Sequence, residues 1–215
     1  MNKTIFITEP NHDYTTRYIS TWAECVVAFA ESKNDYVVSL KNTRANKKTF
    51  VSVLNKINPS FIFLNGHGND RLISGHNNEP IVELSDKSNI LEDKIVYALS
   101  CQSAKKLGPH CVKNGTKTYL GYTEDFIFTY DKTKRTRPSG DKIAALFLDS
   151  SNKIPLSLLK NKTTGEAYDS SQRAFRKTVR SLLTSESALE QSATLRYLVW
   201  DMNHQVCLGD ANVKI

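Results

Sequence analysis

Apolar residues in this chain follow two rhythms. Some form short runs that are almost wholly apolar and rich in β-branched or aromatic residues; others recur every three or four positions over longer stretches. Thr4–Thr8 reads as a strand stopped by Glu9-Pro10. From Asp13 to Ser32 the positions Tyr18, Trp22, Val26, Phe29 and Ala30 fall at helical spacing. Tyr36–Leu40 is a second strand, Thr43–Ile57 a second helix with Phe50, Val53, Leu54 and Ile57 on one face, and Phe61–Leu64 a wholly apolar third strand. Leu72-Ile73 and Pro80–Leu84 suggest a small hairpin beside the sheet. Lys94–Leu99 is a further core strand, Ser103–Asn114 a helix ended by Gly115, and Thr116–Leu120 another strand. Helices are then expected over Lys142–Ser150, Pro155–Leu159, Gly165–Leu183 and Ser187–Asp201, before a closing strand at His204–Leu208. Apolar strands alternating with amphipathic helices predict an α/β fold: a three-layer sandwich whose mainly parallel central sheet is flanked by helices on both faces.

At roughly 150 residues per domain, the 215 residues predict a single domain spanning 1–215. The longest apolar runs, Cys25–Ala30 and Ile143–Leu148, are far shorter than the ~20 residues of a membrane span. The apolar stretch Ile5–Ile7 is too short for a signal peptide, so a cytoplasmic chain with no membrane partner is expected. Cys25, Cys101, Cys111 and Cys207 form no CxxC pair; thiols are expected, with no metal and no cofactor, and Cys25 reads as a buried filler. The formal charge of +7 raises the question of a nucleic-acid partner. The basic residues are scattered, however, and the densest run (Lys132, Lys134, Arg135, Arg137) reads as a solvated loop. A nucleic acid is therefore not expected. The stretch Asp131–Asp141 has no apolar residue except Pro138, so it is expected to be mobile, with Lys134, Arg135 and Arg137 as candidate cleavage points. No complete GxGxxG, P-loop or GxSxG motif is present.

Sites in open α/β sheets lie past the carboxyl ends of the strands. After Phe61–Leu64 comes Asn65-Gly66-His67-Gly68-Asn69-Asp70; after Ile95–Leu99 comes Ser100-Cys101-Gln102-Ser103. A histidine between glycines and a cysteine opening a helix, on neighbouring strands, suit nucleophilic catalysis. The imidazole serves as base and then acid, and the thiolate is favoured by an imidazolium and a helix N-terminus. The Gly68 and Cys101 amides could form an oxyanion hole, and the glycines allow unusual dihedrals and close approach. Asn65 and Asn69 are candidates to orient His67 or substrate. Asp70, Glu124 and Asp125 are the acidic residues near the expected cleft and lean weakly toward a basic substrate residue.

These two blocks, Phe61–Gly68 and Ile95–Ala104, resemble the His-Gly and small-residue–Cys blocks of caspase-like (clan CD) cysteine peptidases. Gly115–Tyr122 and His204–Asp210 look like later strands of the compact prokaryotic gingipain-like and CHAT members. The resemblance implies a caspase-like fold and a cysteine endopeptidase with a His67/Cys101 dyad. It also implies a protein substrate and control by a regulatory protein partner, by homodimerisation or by cleavage, and it points to bacterial defence systems. The spacing 101 − 67 = 34 is shorter than the roughly 50 residues of caspases, and the caspase Gln-Ala-Cys-x-Gly motif is absent. The alternative is a non-catalytic nucleic-acid or protein-binding module on the same α/β scaffold.

Overall fold

A computed structural model of the chain describes residues 2–184 and 190–215. Its elements run β1 (Thr4–Glu9), α1 (Tyr14–Ser32), β2 (Tyr36–Lys41), α2 (Lys47–Ile57), β3 (Phe61–Asn65), β4 (Leu72–Ser74), β5 (Pro80–Glu83), β6 (Ile95–Leu99), α3 (Leu107–Lys113), β7 (Thr118–Tyr122), α4 (Lys142–Ser151), α5 (Lys153–Leu159), α6 (Thr164–Thr184), α7 (Glu190–His204) and β8 (Gln205–Gly209). The expected start of the last helix, Ser187–Leu189, lies outside the described residues.

Six strands form one sheet in the order β2-β1-β3-β6-β7-β8, parallel except for the closing β7–β8 pair. The expected hairpin is present as the antiparallel pair β4–β5. Both faces of the sheet are covered. Ile5, Ile7, Phe61, Phe63, Ile95, Tyr97 and Leu99 pack with Tyr18, Val26, Leu148 and Ile154 from α1, α4 and α5. The residues between them, Phe6, Ile62, Leu64, Val96 and Ala98, pack with Phe50, Leu54, Leu107 and Cys111 from α2 and α3. This is the expected three-layer α/β sandwich. A third cluster, Phe147, Phe175 and Leu198, joins α4, α6 and α7. The chain leaves β1 on one side to make β2 and returns on the other to make β3, so the strand order reverses at β1 and opens a crevice past the strand ends.

Three local expectations need correction. The helix expected from Thr43 begins at Lys47, because the Asn46 side chain accepts from the Thr49 amide at 2.9 Å and caps it there. The helix expected over Ser103–Asn114 shrinks to Leu107–Lys113. The Gln102 amide donates to Glu124 O at 3.1 Å and the Ala104 amide to Tyr122 O at 2.9 Å, so this segment is tied to the end of β7 instead of coiling. Cys25 is exposed on α1, with its thiol donating to Trp22 O.

The stretch 131–141 is not a free loop. It contains two short 3-10 turns, Lys132–Lys134 and Pro138–Gly140, and Pro138 is buried. The Arg135 guanidinium stacks over Tyr14 at 4.8 Å and Tyr130 at 5.6 Å. Asp141, 1% exposed, caps α4 by accepting from the Ile143 and Ala144 amides. Its other oxygen accepts from the Tyr18 hydroxyl at 3.0 Å and the Asp131 amide at 2.8 Å. Cation–π contacts and a buried carboxylate order a segment that has almost no apolar residue to bury.

Asp141→Ala should therefore cost about 3 kcal/mol, since it removes a helix cap and strands the buried Tyr18 hydroxyl and the half-buried Asp131 amide. In a chain of this size that corresponds to a melting temperature lower by roughly 6–12 °C. Tyr18→Phe, which removes one donor and leaves the cap, should cost about 1 kcal/mol. Differential scanning calorimetry of the two variants checks the order; equal losses would remove Asp141 from its central place.

Candidate active site

Past the ends of β1, β3 and β6, three neighbouring strands each deliver one polar group. β3 and β6 pair with Asn65 opposite Leu99, and His67 and Cys101 each lie two residues further on, at the same level. Gly68 rests against the Ser100–Cys101 backbone: a Cβ there would overlap Ser100 Oγ and lie 2.8 Å from Leu72 O and 3.2 Å from Cys101 O. A Cβ on Gly66 would overlap Ser74 O. Neither glycine has a positive φ, so both are required for close backbone approach and not for unusual dihedrals.

His67 is half-buried, and its Nε2 lies 2.6 Å from Asp13 Oδ2. Asp13 precedes α1 and is its N-cap. Its Oδ1 accepts from both the amide and the hydroxyl of Thr16 at 2.8 Å, completing a capping box. One carboxylate thus uses one oxygen to start a helix and the other to hold an imidazole. Burial works against the Asp13 charge, but the Thr16 amide, the His67 bond and the Thr16 hydroxyl outweigh it and bring the carboxyl down to about 2. An ionised carboxylate can only accept, so Nε2 carries the proton and the lone pair of neutral His67 resides on Nδ1.

The thiol half is different. Cys101 is partly buried, with Sγ 3.8 Å from Phe126 O, and no hydrogen bond or ion pair joins it to His67 among the described residues. Burial first, and then the Asp125 carboxylate, push its thiol up to about 11. The expected lowering by a helix N-terminus is absent because α3 starts only at Leu107. The residue after the thiol, Gln102, is in the left-handed region at φ 52°, and its side chain donates to Asp125 Oδ1 at 2.9 Å.

The thiol is partly covered by Asp125 and Phe126, at the start of a segment 124–130 that packs as a unit. Phe126 packs on Tyr122 with ring centres 4.9 Å apart, and Tyr18 contacts Phe128 at 5.7 Å and Tyr130 at 5.1 Å. Two residues of α7 hold this segment from behind. The Trp200 indole N–H donates to Asp125 O at 2.9 Å, and Asp201 accepts from the Ile127 amide at 3.0 Å. Asp201 is fully buried, its second oxygen has no partner, and burial pushes its carboxyl well above the usual range.

The other nominated residues are engaged elsewhere. Asn65 is buried and stitches β3 to β1: its amide donates to Thr8 Oγ1, its side chain to Thr8 O, and its carbonyl accepts from the Thr8 hydroxyl, each at 2.9 Å. Asn69 Oδ1 accepts from the Arg71 and Leu72 amides of its own turn. Asp70 pairs with Lys106 at 2.6 Å, a bond that lowers its pKa, and Glu124 pairs with Lys105 at 2.8 Å. Of the acidic candidates, Asp125 is the one beside the thiol. Asp13 and Asp201 escaped the sequence reading. The Asp13-x-x-Thr16 pattern marks a helix start, but nothing local signals the use of its second oxygen 54 residues away.

No family model matches the chain, and no curated protein matches it in sequence. Solved structures do match in fold. The Arg-specific cysteine proteinase gingipain R (RgpB) aligns over 99% of this chain and 47% of its own, at 11% identity and a TM-score of 0.61. The complex of the Porphyromonas gingivalis RgpB pro- and mature domains aligns over 99% and 48%, at 9% identity and the same TM-score. This chain therefore shares the mainly parallel, caspase-like α/β fold of gingipain R and spans about half the length of these structures.

A covered thiol has a measurable consequence. Alkylation of Cys101 by iodoacetamide should climb with pH to about 11 without a plateau near neutrality, and Cys207, also pushed up to about 11 by burial, should track it. Asp125→Asn removes the anion beside the thiol, stabilises the thiolate and should speed labelling several-fold at pH 8. Peptide mass mapping of labelled protein reads this; a plateau for Cys101 below pH 8 would show that the thiol is paired after all.

Proposed function

We propose that the chain is a cysteine-type hydrolase that cleaves peptide bonds in a protein substrate, with Cys101 as nucleophile, His67 as base and Asp13 as the residue that positions His67. The observation that carries this reading is the delivery of these three groups by three adjacent parallel strands, β1, β3 and β6, in a fold shared with gingipain R.

In this reading the Nδ1 lone pair of His67 takes the Cys101 proton while Nε2–H stays on Asp13. The thiolate attacks the peptide carbonyl carbon, and the negative charge passes to its oxygen. The amides of Gly68 and Cys101, which donate to no other group among the described residues, suit that oxyanion. Nδ1–H then protonates the leaving amine. Water deprotonated by the same nitrogen hydrolyses the thioester and restores the thiol.

A thiol at about 11 beneath residues 124–130 is a resting state, so the reading includes an activating step that lifts this segment and lets imidazole and sulfur meet. A regulatory protein partner is one source of that step; the RgpB relative is known in complex with its pro-domain, which supports it. The exposed Asp125 carboxylate beside the thiol favours Lys or Arg before the scissile bond. On this reading the chain is also akin to compact gingipain-like or CHAT peptidases.

The binding-module alternative has one observation of its own. Arg173, Arg176, Lys177 and Arg180 line a hollow along α6 and form no ion pair among the described residues, a surface suited to an anionic partner. Loss of a cellular activity in Cys101→Ala would count against that alternative.

Cys101→Ala should abolish cleavage of a fluorogenic peptide panel and leave the fold intact. Asp13→Asn separates two roles, because Asn caps a helix as well as Asp does but offers no second carboxylate oxygen to His67. It should lower kcat by ~100-fold or more with KM little changed and the folded state retained by circular dichroism, and Asp13→Glu should recover part of the loss. Cleavage persisting in Cys101→Ala, or full kcat in Asp13→Asn, would overturn the assignment.

A further inference from the structure

The groups around His67 form more than a pair. His12, Asp13 and His67 each offer one ligand atom, and the three atoms lie within 4.8 Å of one another. Asp13 Oδ2 is central, 2.6 Å from His67 Nε2 and 3.7 Å from His12 Nε2. His12 is only 11% exposed, yet its Nδ1 has no hydrogen-bond partner, and its Nε2 has only a 3.2 Å contact with Asn78 Oδ1. Its ring is wedged edge-on between the rings of His67 at 5.9 Å and His76 at 5.3 Å. Three histidines thus crowd one carboxylate, and hydrogen bonding within the fold leaves the middle one poorly satisfied.

We propose that His12, Asp13 and His67 form a binding site for one divalent transition-metal ion of the Zn2+ type. Two imidazoles and a carboxylate are a three-ligand set typical of an open zinc site, with the fourth position left to water. Imidazole donors also favour such an ion over the hard cations Mg2+ and Ca2+. Ligand atoms ~2.0–2.1 Å from a tetrahedral ion lie ~3.4 Å from one another. The separations of 2.6 and 3.7 Å from Asp13 Oδ2 fall on either side of that edge and the two imidazole nitrogens lie within 4.8 Å, so side-chain shifts of about an ångström close the site. On binding, the ion takes the place of the proton between His67 Nε2 and Asp13 Oδ2, and the neutral imidazole carries its proton on Nδ1 instead, a tautomer exchange through solvent with no net proton released.

The scaffold is prepared for this. His12 and Asp13 are consecutive, and the Asp13 carboxylate is already fixed by its capping box with Thr16. His76, which lies behind His12, accepts from the Asn11 amide at 3.3 Å and fills the second layer. A surface hollow lined by Asn11, His12, Asp13, Tyr14 and Arg17 gives a path of entry. The one group there that opposes a cation, the Arg17 guanidinium, is engaged with Asn11 Oδ1 at 3.4 Å.

Binding requires nothing of the hydrolase reading. Its regulatory consequence rests on that reading: an ion on His67 Nε2 and Asp13 Oδ2 removes the hydrogen bond that positions the base, so the metal-loaded chain is the inhibited form.

The test reads binding and not turnover. Co2+ is titrated into the metal-free full chain and into Cys101→Ala, followed by visible absorption and then by displacement with Zn2+. One Co2+ per chain is expected in both proteins, with d–d bands of nitrogen and oxygen ligation and no thiolate charge-transfer band. His12→Ala should weaken binding at least ~tenfold, as loss of a zinc ligand does. His12→Gln, which keeps the side-chain volume, replaces it if circular dichroism shows that His12→Ala has unfolded. A thiolate band, loss of binding in Cys101→Ala, or undiminished affinity in a folded His12 variant would overturn the site. None of these outcomes depends on whether a peptide is cleaved, so the hydrolase reading stands or falls separately.

Discussion

The common register of β1, β3 and β6 is the constraint on which the rest depends. Parallel hydrogen bonding sets Ile7 level with Phe63, and Phe63 level with Tyr97. Every polar group of the site is measured from that row. Because side chains alternate faces, a slip of one residue between β3 and β6 would send His67 and Cys101 to opposite sides of the sheet and turn one core row toward the wrong helices. The β1–β3 ladder ends at Ile7 and Phe63, where the Thr8–Asn65 hydrogen bonds take over. Asn65 thus serves the site without touching it: it holds the strand that starts α1 and Asp13 against the strand that carries His67.

The two halves of the site are prepared in opposite environments. Asp13 and His67 are open to solvent and already bonded, whereas Cys101 is covered, protonated and next to an anion. The elements responsible differ too. The first half is built by strand ends and a helix cap, the second by the 124–130 segment that Trp200 and Asp201 hold from α7. Displacing Asp125 and Phe126 breaks none of the bonds that hold Asp13 and His67, although Phe128 and Tyr130 of the same segment rest on Tyr18 of α1.

Most of the layering was legible in the sequence because it follows from periodicity. Runs such as Phe61–Leu64 and Ile95–Leu99 are apolar on both faces and can only be central strands, and the 3.6-residue pattern in α1 matches the sheet it covers, whereas α6 turns Phe175 to α4 and α7. The spots where reading failed are those decided by single long-range bonds. The Asn46 cap cut α2 short, and the Glu124 and Tyr122 carbonyls drew 102–104 out of a helix. Composition alone made 131–141 look mobile, because it counts burial of apolar groups and not an arginine stacked on two tyrosines or a buried carboxylate with four donors. The dyad residues stood out by their glycine and strand-end setting. Asp13 did not, since its partner is fixed by the fold and not by neighbours in the chain.

The cover over Cys101 also bears on redox chemistry. Peroxide attacks the thiolate, and a thiol held at about 11 presents roughly one thiolate in ten thousand near neutral pH. Cys101 in the resting chain is therefore a poor target for oxidation to the sulfenic acid and for glutathionylation. Vulnerability and nucleophilicity arrive together, at the moment the 124–130 segment moves. A chain that waits long before use keeps its sulfur intact by the same burial that keeps it unreactive.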